Sequence, residues 1–224
     1  MSLVCNYKEL TKEINVACER AGRDPSELTL IAVTKYVTIE QTREVFDLGI
    51  KDLGENRVNV ALDKIPFIEA ATWHFIGPLQ SRKVKDIVND IDYFHALDRL
   101  KVAKEMNKRL NKPLDCFVQV NVSGETSKGG ITPDALFDFI DALKPFEHIR
   151  VVGLMTMAPH IDDQDKIRAV FRQLRELRDK VMACGFNHAP CQFLSMGMSQ
   201  DFTLAILEGA THLRIGSILV NPEG

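Results

Sequence analysis

Long apolar runs are missing from this chain; none reaches the roughly 20 residues that cross a bilayer, so a membrane-spanning role is excluded. Cysteine is sparse and odd in number, Cys5, Cys18, Cys116, Cys184 and Cys191, with no C-x-x-C pair, which argues against a disulfide framework and a zinc site. Charge of one sign is also missing. A formal net charge of -3 over 224 residues provides no general attraction to nucleic acid or acidic membranes. Neither H-E-x-x-H nor G-x-x-x-x-G-K-[ST] occurs; the loop Gly124 to Gly130 lacks the spacing of a phosphate cradle and reads as a rim loop. Met1 to Arg20 mixes acids with bases, unlike a signal or transit peptide, so a cytoplasmic location is expected. No Pro/Gly/Ser-rich linker or low-complexity segment marks a boundary, and residues 1–224 read as one domain.

What is present is 45% hydrophobic content arranged as strands alternating with helices. Strands are expected at 28–34, 51–54, 73–76, 92–96, 115–121, 149–155, 191–195 and 212–215. Between them, Thr38 and Gln41 form a capping-box pattern, Thr132-Pro133 reads as a helix start, and Ile167, Val170, Phe171, Leu174, Leu177 and Val181 recur at helical spacing over 163–184. Such alternation predicts parallel strands with right-handed helical crossovers, closing into a (β/α)8 TIM barrel, with an open doubly wound sheet as the competitor. The chain ends too soon after Arg214 for a full eighth crossover helix. An early helix over about 7–21, with Leu10, Ile14, Ala17 and Cys18 inward, is expected to cover that gap.

Lys35 ends the apolar run 28–34. A lysine at the edge of a low-dielectric interior is where desolvation frees an amine for imine chemistry, although a lone strand-end lysine is most simply a return to water. In a barrel, Lys35 would share one mouth with Gly54-Glu55-Asn56, His74 to Gly77, His95, Asn121, Met155 to Met157, Ser195 to Ser199 and Arg214 to Ser217. Glycine and serine after strands 7 and 8 suit a phosphate. Ser199 alone reads more simply as a helix N-cap, and His74 as a satisfied interior histidine rather than a base or ligand. Met155, Met157, Met196 and Met198 would fill an apolar wall, and a buried Arg214 would need an acceptor or a carboxylate.

Ala32-Val33-Thr34-Lys35, Gly54-Glu55-Asn56-Arg57, Trp73 to Gly77 with Leu79-Gln80, Gly153 to Met157, Leu194 to Ser199 with Asp201, and Arg214 to Ser217 together resemble the pyridoxal-phosphate homeostasis protein family. These are single-domain relatives of the alanine racemase N-terminal barrel. The resemblance implies pyridoxal 5'-phosphate in a reversible Schiff base on Lys35, its phosphate held by Ser199 and the Gly216-Ser217 turn. It further implies Arg214 facing the pyridine nitrogen and Asn56 beside the ring. A guanidinium there would keep that nitrogen unprotonated and weaken the ring as an electron sink. Storage or delivery of the cofactor follows, with little or no turnover and with pyridoxal-phosphate-dependent enzymes as recipients; a covered barrel with no obvious exposed apolar stripe favours a monomer. The alternative is an amino-acid racemase; this needs a second base on the opposite face, and Tyr7, Tyr36 and Tyr93 offer no evident one. Ser81-Arg82-Lys83 and Ser217 to Asn221 depart from the family pattern.

Overall fold

The computed structural model describes residues 2–125 and 128–220. Thr126 and Ser127 of the rim loop, and Asn221 in the last departing segment, lie outside the described residues. Eight parallel strands close into a barrel in sequence order: β1 (Thr29–Val33), β2 (Asp52–Glu55), β3 (Thr72–Phe75), β4 (Tyr93–Leu97), β5 (Leu114–Gln119), β6 (Ile149–Met155), β7 (Phe193–Ser195) and β8 (His212–Ile215). The β1–β8 seam pairs Ile31 with Arg214, so the open-sheet alternative does not hold.

One helix precedes β1, α1 (Leu3–Ala21), and seven cross between consecutive strands: α2 (Ile39–Asp47), α3 (Val58–Lys64), α4 (Val84–Ile87), α5 (Leu100–Arg109), α6 (Leu136–Leu143), α7 (Gln164–Ala183) and α8 (Phe202–Leu207). No crossover follows β8 among the described residues, and α1 packs beside α8, as expected from its apolar stripe. Leu10, Ile14, Ala17 and Cys18 are all buried; each large aliphatic side chain so enclosed contributes about 1.5–3 kcal/mol. Gly22, left-handed at φ 63°, ends the helix, and Arg23 then donates to the carbonyls of Ile206 and Ala210, fastening α1 to the α8–β8 connection.

The capping box forms as patterned, Gln41 N–H donating to Thr38 Oγ1 and Thr38 N–H to Gln41 Oε1. Asp163 caps α7 by accepting from Lys166 N–H. Thr132 differs from expectation: its side chain makes no cap, and a 3-10 turn over Pro133–Ala135 precedes α6. The proline suits either start, so the pattern could not tell them apart. No helix among the described residues is long and apolar enough to cross a membrane.

The barrel interior departs from the branched aliphatic filling common in this architecture. Rings occupy it instead: His74 stacks on Tyr93 at 4.6 Å between centroids, His95 on Phe117 at 4.3 Å, and His212 meets Phe117 edge-on at 5.0 Å. Gly153 on β6 makes room for them, because a Cβ there would lie 2.8 Å from Phe117 and 2.2 Å from the Phe193 carbonyl oxygen.

Candidate functional site

A cleft of about 1560 Å³ opens where the strands' C-terminal ends meet the loops. Lys35, Asn56, Ser199, Arg214, Gly216 and Ser217 all line it, so four different β–α connections and strand ends bring the six residues to one place. Met155, Met157 and Met198 form part of its wall, whereas Met196 is fully buried behind it.

Lys35 follows β1 on a turn in which Val37 N–H donates to the Thr34 carbonyl. Its side chain is half-buried, with the ammonium 4.8 Å from the centre of the exposed Tyr36 ring. The side chain thus lies at the edge between interior and solvent, where the apolar run before it ends. Firm support comes one residue earlier. The Thr34 hydroxyl donates to Glu55 at 2.7 Å and its carbonyl accepts from Lys64 Nζ at 2.6 Å, while Lys64 and Glu55 pair at 2.7 Å. Lys64 is a lysine that sequence reasoning missed; its only signal was its place three residues after Ala61 on the inward face of α3.

Arg214 is buried on β8 and has no carboxylate partner among the described residues. Nη1 donates to Ser195 Oγ at 2.6 Å and Nη2 to the Thr156 carbonyl at 2.9 Å. Two neutral acceptors orient the guanidinium without cancelling its charge. Burial lowers its pKa to about 10, a shift opposed by Asp201, so it stays cationic at neutral pH. The Thr156 carbonyl is a backbone acceptor with no signature in sequence.

Ser199 does not cap α8. Asp201 occupies that position and accepts from Met198 N–H, which leaves the Ser199 hydroxyl to accept from Gly216 N–H at 3.3 Å. That contact joins the β7–α8 and post-β8 loops, the two places where a phosphate is held in many barrels of this kind. Asn56 sits opposite, its backbone pressed against Gly77; a Cβ at that glycine would lie 2.3 Å from the Asn56 carbonyl oxygen. The Asn56 side-chain oxygen is buried and has no hydrogen-bond partner among the described residues. An orphaned acceptor in one cleft with a lysine amine and an oriented guanidinium fits an anionic ligand bearing its own donors.

Several residues expected at the mouth do not line the cleft; Glu55, Thr156 and Ser195 are buried. His74 and His95 are enclosed in the barrel and neither lines the cleft. Asn121 builds the rim, its amide donating to the carbonyls of Glu125 and Lys128. The 3-10 turn Ser81–Lys83 also lies outside the cleft lining, so that departure from the family pattern leaves the site untouched.

The family described as "Alanine racemase, N-terminal domain" matches residues 6–222. The pyridoxal phosphate homeostasis protein of Aquifex aeolicus (strain VF5) is 41% identical over 213 residues, covering 93% of this chain and 92% of that one. PipY of Synechococcus elongatus PCC7942, solved with PLP bound, superposes with a TM-score of 0.80 at 28% identity, covering 92% of this chain and 99% of that chain. Alanine racemase from Clostridium difficile 630 shares the fold, with a TM-score of 0.78 at 15% identity, but the match spans only 56% of the racemase. By its sequence and by its closed barrel, this chain belongs to the pyridoxal phosphate homeostasis protein family, within the group built on the alanine racemase N-terminal domain.

Proposed function

We propose that this protein binds pyridoxal 5'-phosphate reversibly at Lys35 and serves cofactor homeostasis by storing and delivering it. The convergence of the six residues on one cleft carries this proposal. When bound, the cofactor supplies an aldehyde that condenses with a primary amine, losing water. Lys35 offers that amine from an anchored turn. Ser199 and the Gly216-Ser217 backbone would hold the phosphate, Arg214 would face the ring nitrogen as a fixed cation, and Asn56 would accept from the cofactor's edge. The half-buried position of Lys35 supports release as well as capture, since an incoming amine can approach it.

Delivery to pyridoxal-phosphate-dependent enzymes, and action as a monomer of a single domain, are part of the same proposal. The free thiols of Cys18, Cys116 and Cys191, which burial holds in the protonated form, suit a reducing compartment such as the cytoplasm.

A racemase would need a second proton donor facing the substrate from the side opposite Lys35. Among the described residues the only tyrosine lining the cleft is Tyr36, on Lys35's own turn. The opposing tyrosine of an alanine racemase thus has no counterpart among the described cleft residues, and turnover is expected to be negligible; sustained interconversion of D- and L-alanine, absent in Lys35→Ala, would reverse that.

The deciding experiment loads the purified protein with pyridoxal phosphate, removes the excess and records the visible spectrum. Borohydride reduction and peptide mass mapping follow. A retained band with the adduct on Lys35 is expected. Absence of both would overturn the proposal.

A further inference from the structure

A chain of buried hydrogen bonds crosses the barrel interior from β2 to β8. Asp52 Oδ1 lies 2.9 Å from His74 Nε2, and His74 Nδ1 lies 2.9 Å from His95 Nε2. His95 Nδ1 lies 2.8 Å from Ser195 Oγ, which accepts from Arg214 Nη1 at 2.6 Å. The two histidines and Ser195 are buried, while the Asp52 side chain is 29% exposed at the opposite end of the strands from the cleft.

The two ends fix the polarity of every link. A guanidinium can only donate, so Ser195 accepts at one end; a carboxylate can only accept, so His74 Nε2 must carry a proton at the other. Ser195 has one hydrogen of its own, and His95 Nδ1 is the acceptor in reach. His95 then carries its proton on Nε2 and donates to His74 Nδ1, which must be bare. Each histidine is thus neutral with one Nε2 proton, and every donor has an acceptor. The reverse tautomers set the bare His74 Nε2 against the Asp52 carboxylate and leave the Ser195 hydrogen with no acceptor, a costly arrangement where water is excluded. Burial, together with the nearby His74, His212 and Arg214, independently pushes the His95 pKa well below its usual value.

We propose that Ser195, His95 and His74, anchored on Asp52, form a one-way hydrogen-bond chain whose task is to keep the Ser195 lone pairs turned toward Arg214, making them positioning residues for the guanidinium at the cofactor ring. Its functional half rests on the proposed facing of Arg214 and the cofactor. Thr156 supplies the second acceptor from the backbone, so Ser195 is the side chain through which the orientation of Arg214 can be altered.

Two measurements on the full chain test it. Long-range ¹⁵N–¹H correlation spectra of histidine side chains at neutral pH, without cofactor, should show Nε2–H tautomers for both His74 and His95. An Nδ1–H tautomer or an imidazolium at either residue overturns the chain. In the cofactor-loaded protein, Ser195→Ala should loosen cofactor retention about tenfold, the equivalent of one hydrogen bond to a charged group. It should also shift the absorption band in the direction seen for Arg214→Glu, and Ser195→Thr, which keeps the hydroxyl, should restore both. If Arg214→Glu shifts the band and Ser195→Ala leaves band and retention unchanged, the positioning role fails while the proposed function stands. If the unaltered protein forms no Lys35 adduct, the cofactor proposal itself fails, and the role at the ring with it.

Discussion

The Lys64 ammonium lies 2.7 Å from the Glu55 carboxylate, both buried, and each is also bonded to Thr34, the residue before Lys35. The backbone that carries Lys35 is therefore held by a pair of charges withdrawn from water, while the Lys35 side chain is only half-buried. A covalent carrier needs both: a fixed base, so that the amine meets the cofactor in one geometry, and an accessible amine, so that the bond can be made and broken.

Removing one member of that pair strands the other charge in the interior. Lys64→Met and Glu55→Gln are each expected to cost about 3 kcal/mol in urea unfolding. The double variant should cost less than the sum, because the second change removes the charge that the first left unpaired. Additive losses would mean that the two side chains act independently.

Lys35→Ala should abolish the reducible adduct and leave weaker binding through Ser199 and the Gly216-Ser217 backbone. Equilibrium dialysis of pyridoxal phosphate against the variant, with and without Ser199→Ala, measures the remainder. Competition by inorganic phosphate should remove it.

Arg214→Glu replaces a fixed cation with an acceptor. It should permit protonation of the cofactor's ring nitrogen and change the visible spectrum of the loaded protein. An unchanged spectrum would place the ring elsewhere in the cleft.

Acid should destabilise the barrel through its interior histidines. Burial lowers the pKa of His212 to about 3 and that of His95 well below normal, with the Arg214 guanidinium adding to both. Unfolded histidines titrate near 6.5, so below that pH the unfolded chain takes up protons that the folded one refuses. Stability is full above pH about 6.5 and should fall beneath it by up to about 1.4 kcal/mol per pH unit for each histidine. Urea midpoints between pH 7 and pH 5 check this, and His212→Asn should reduce the slope.

The secondary elements were legible because their signals are local. A capping box at Thr38 and Gln41, a six-residue stripe in α7 and a continuous apolar run before Lys35 each depend on neighbours within a few turns. The six cleft residues were also nameable, although chiefly through family resemblance; the chemistry of Lys35 alone could not separate a cofactor lysine from a return to water. The hydrogen-bond partners of Ser199, Arg214 and Lys64 were not legible. A serine ahead of a helix serves equally as a cap or as a bridge to Gly216, and a buried arginine equally suits a carboxylate or a hydroxyl and a carbonyl.

By itself, then, the sequence determined the order of strands and helices and the residue types that end the strands, since periodicity and chain connectivity are properties of neighbouring residues; closure of the sheet was decided by the β1–β8 pairing. Only the tertiary structure decided which partner each polar group takes. The chain from Asp52 to Arg214 draws on five strands, with 100 residues between its His95 and Ser195 members, and its proton order follows from distances and burial that exist only once the barrel has closed.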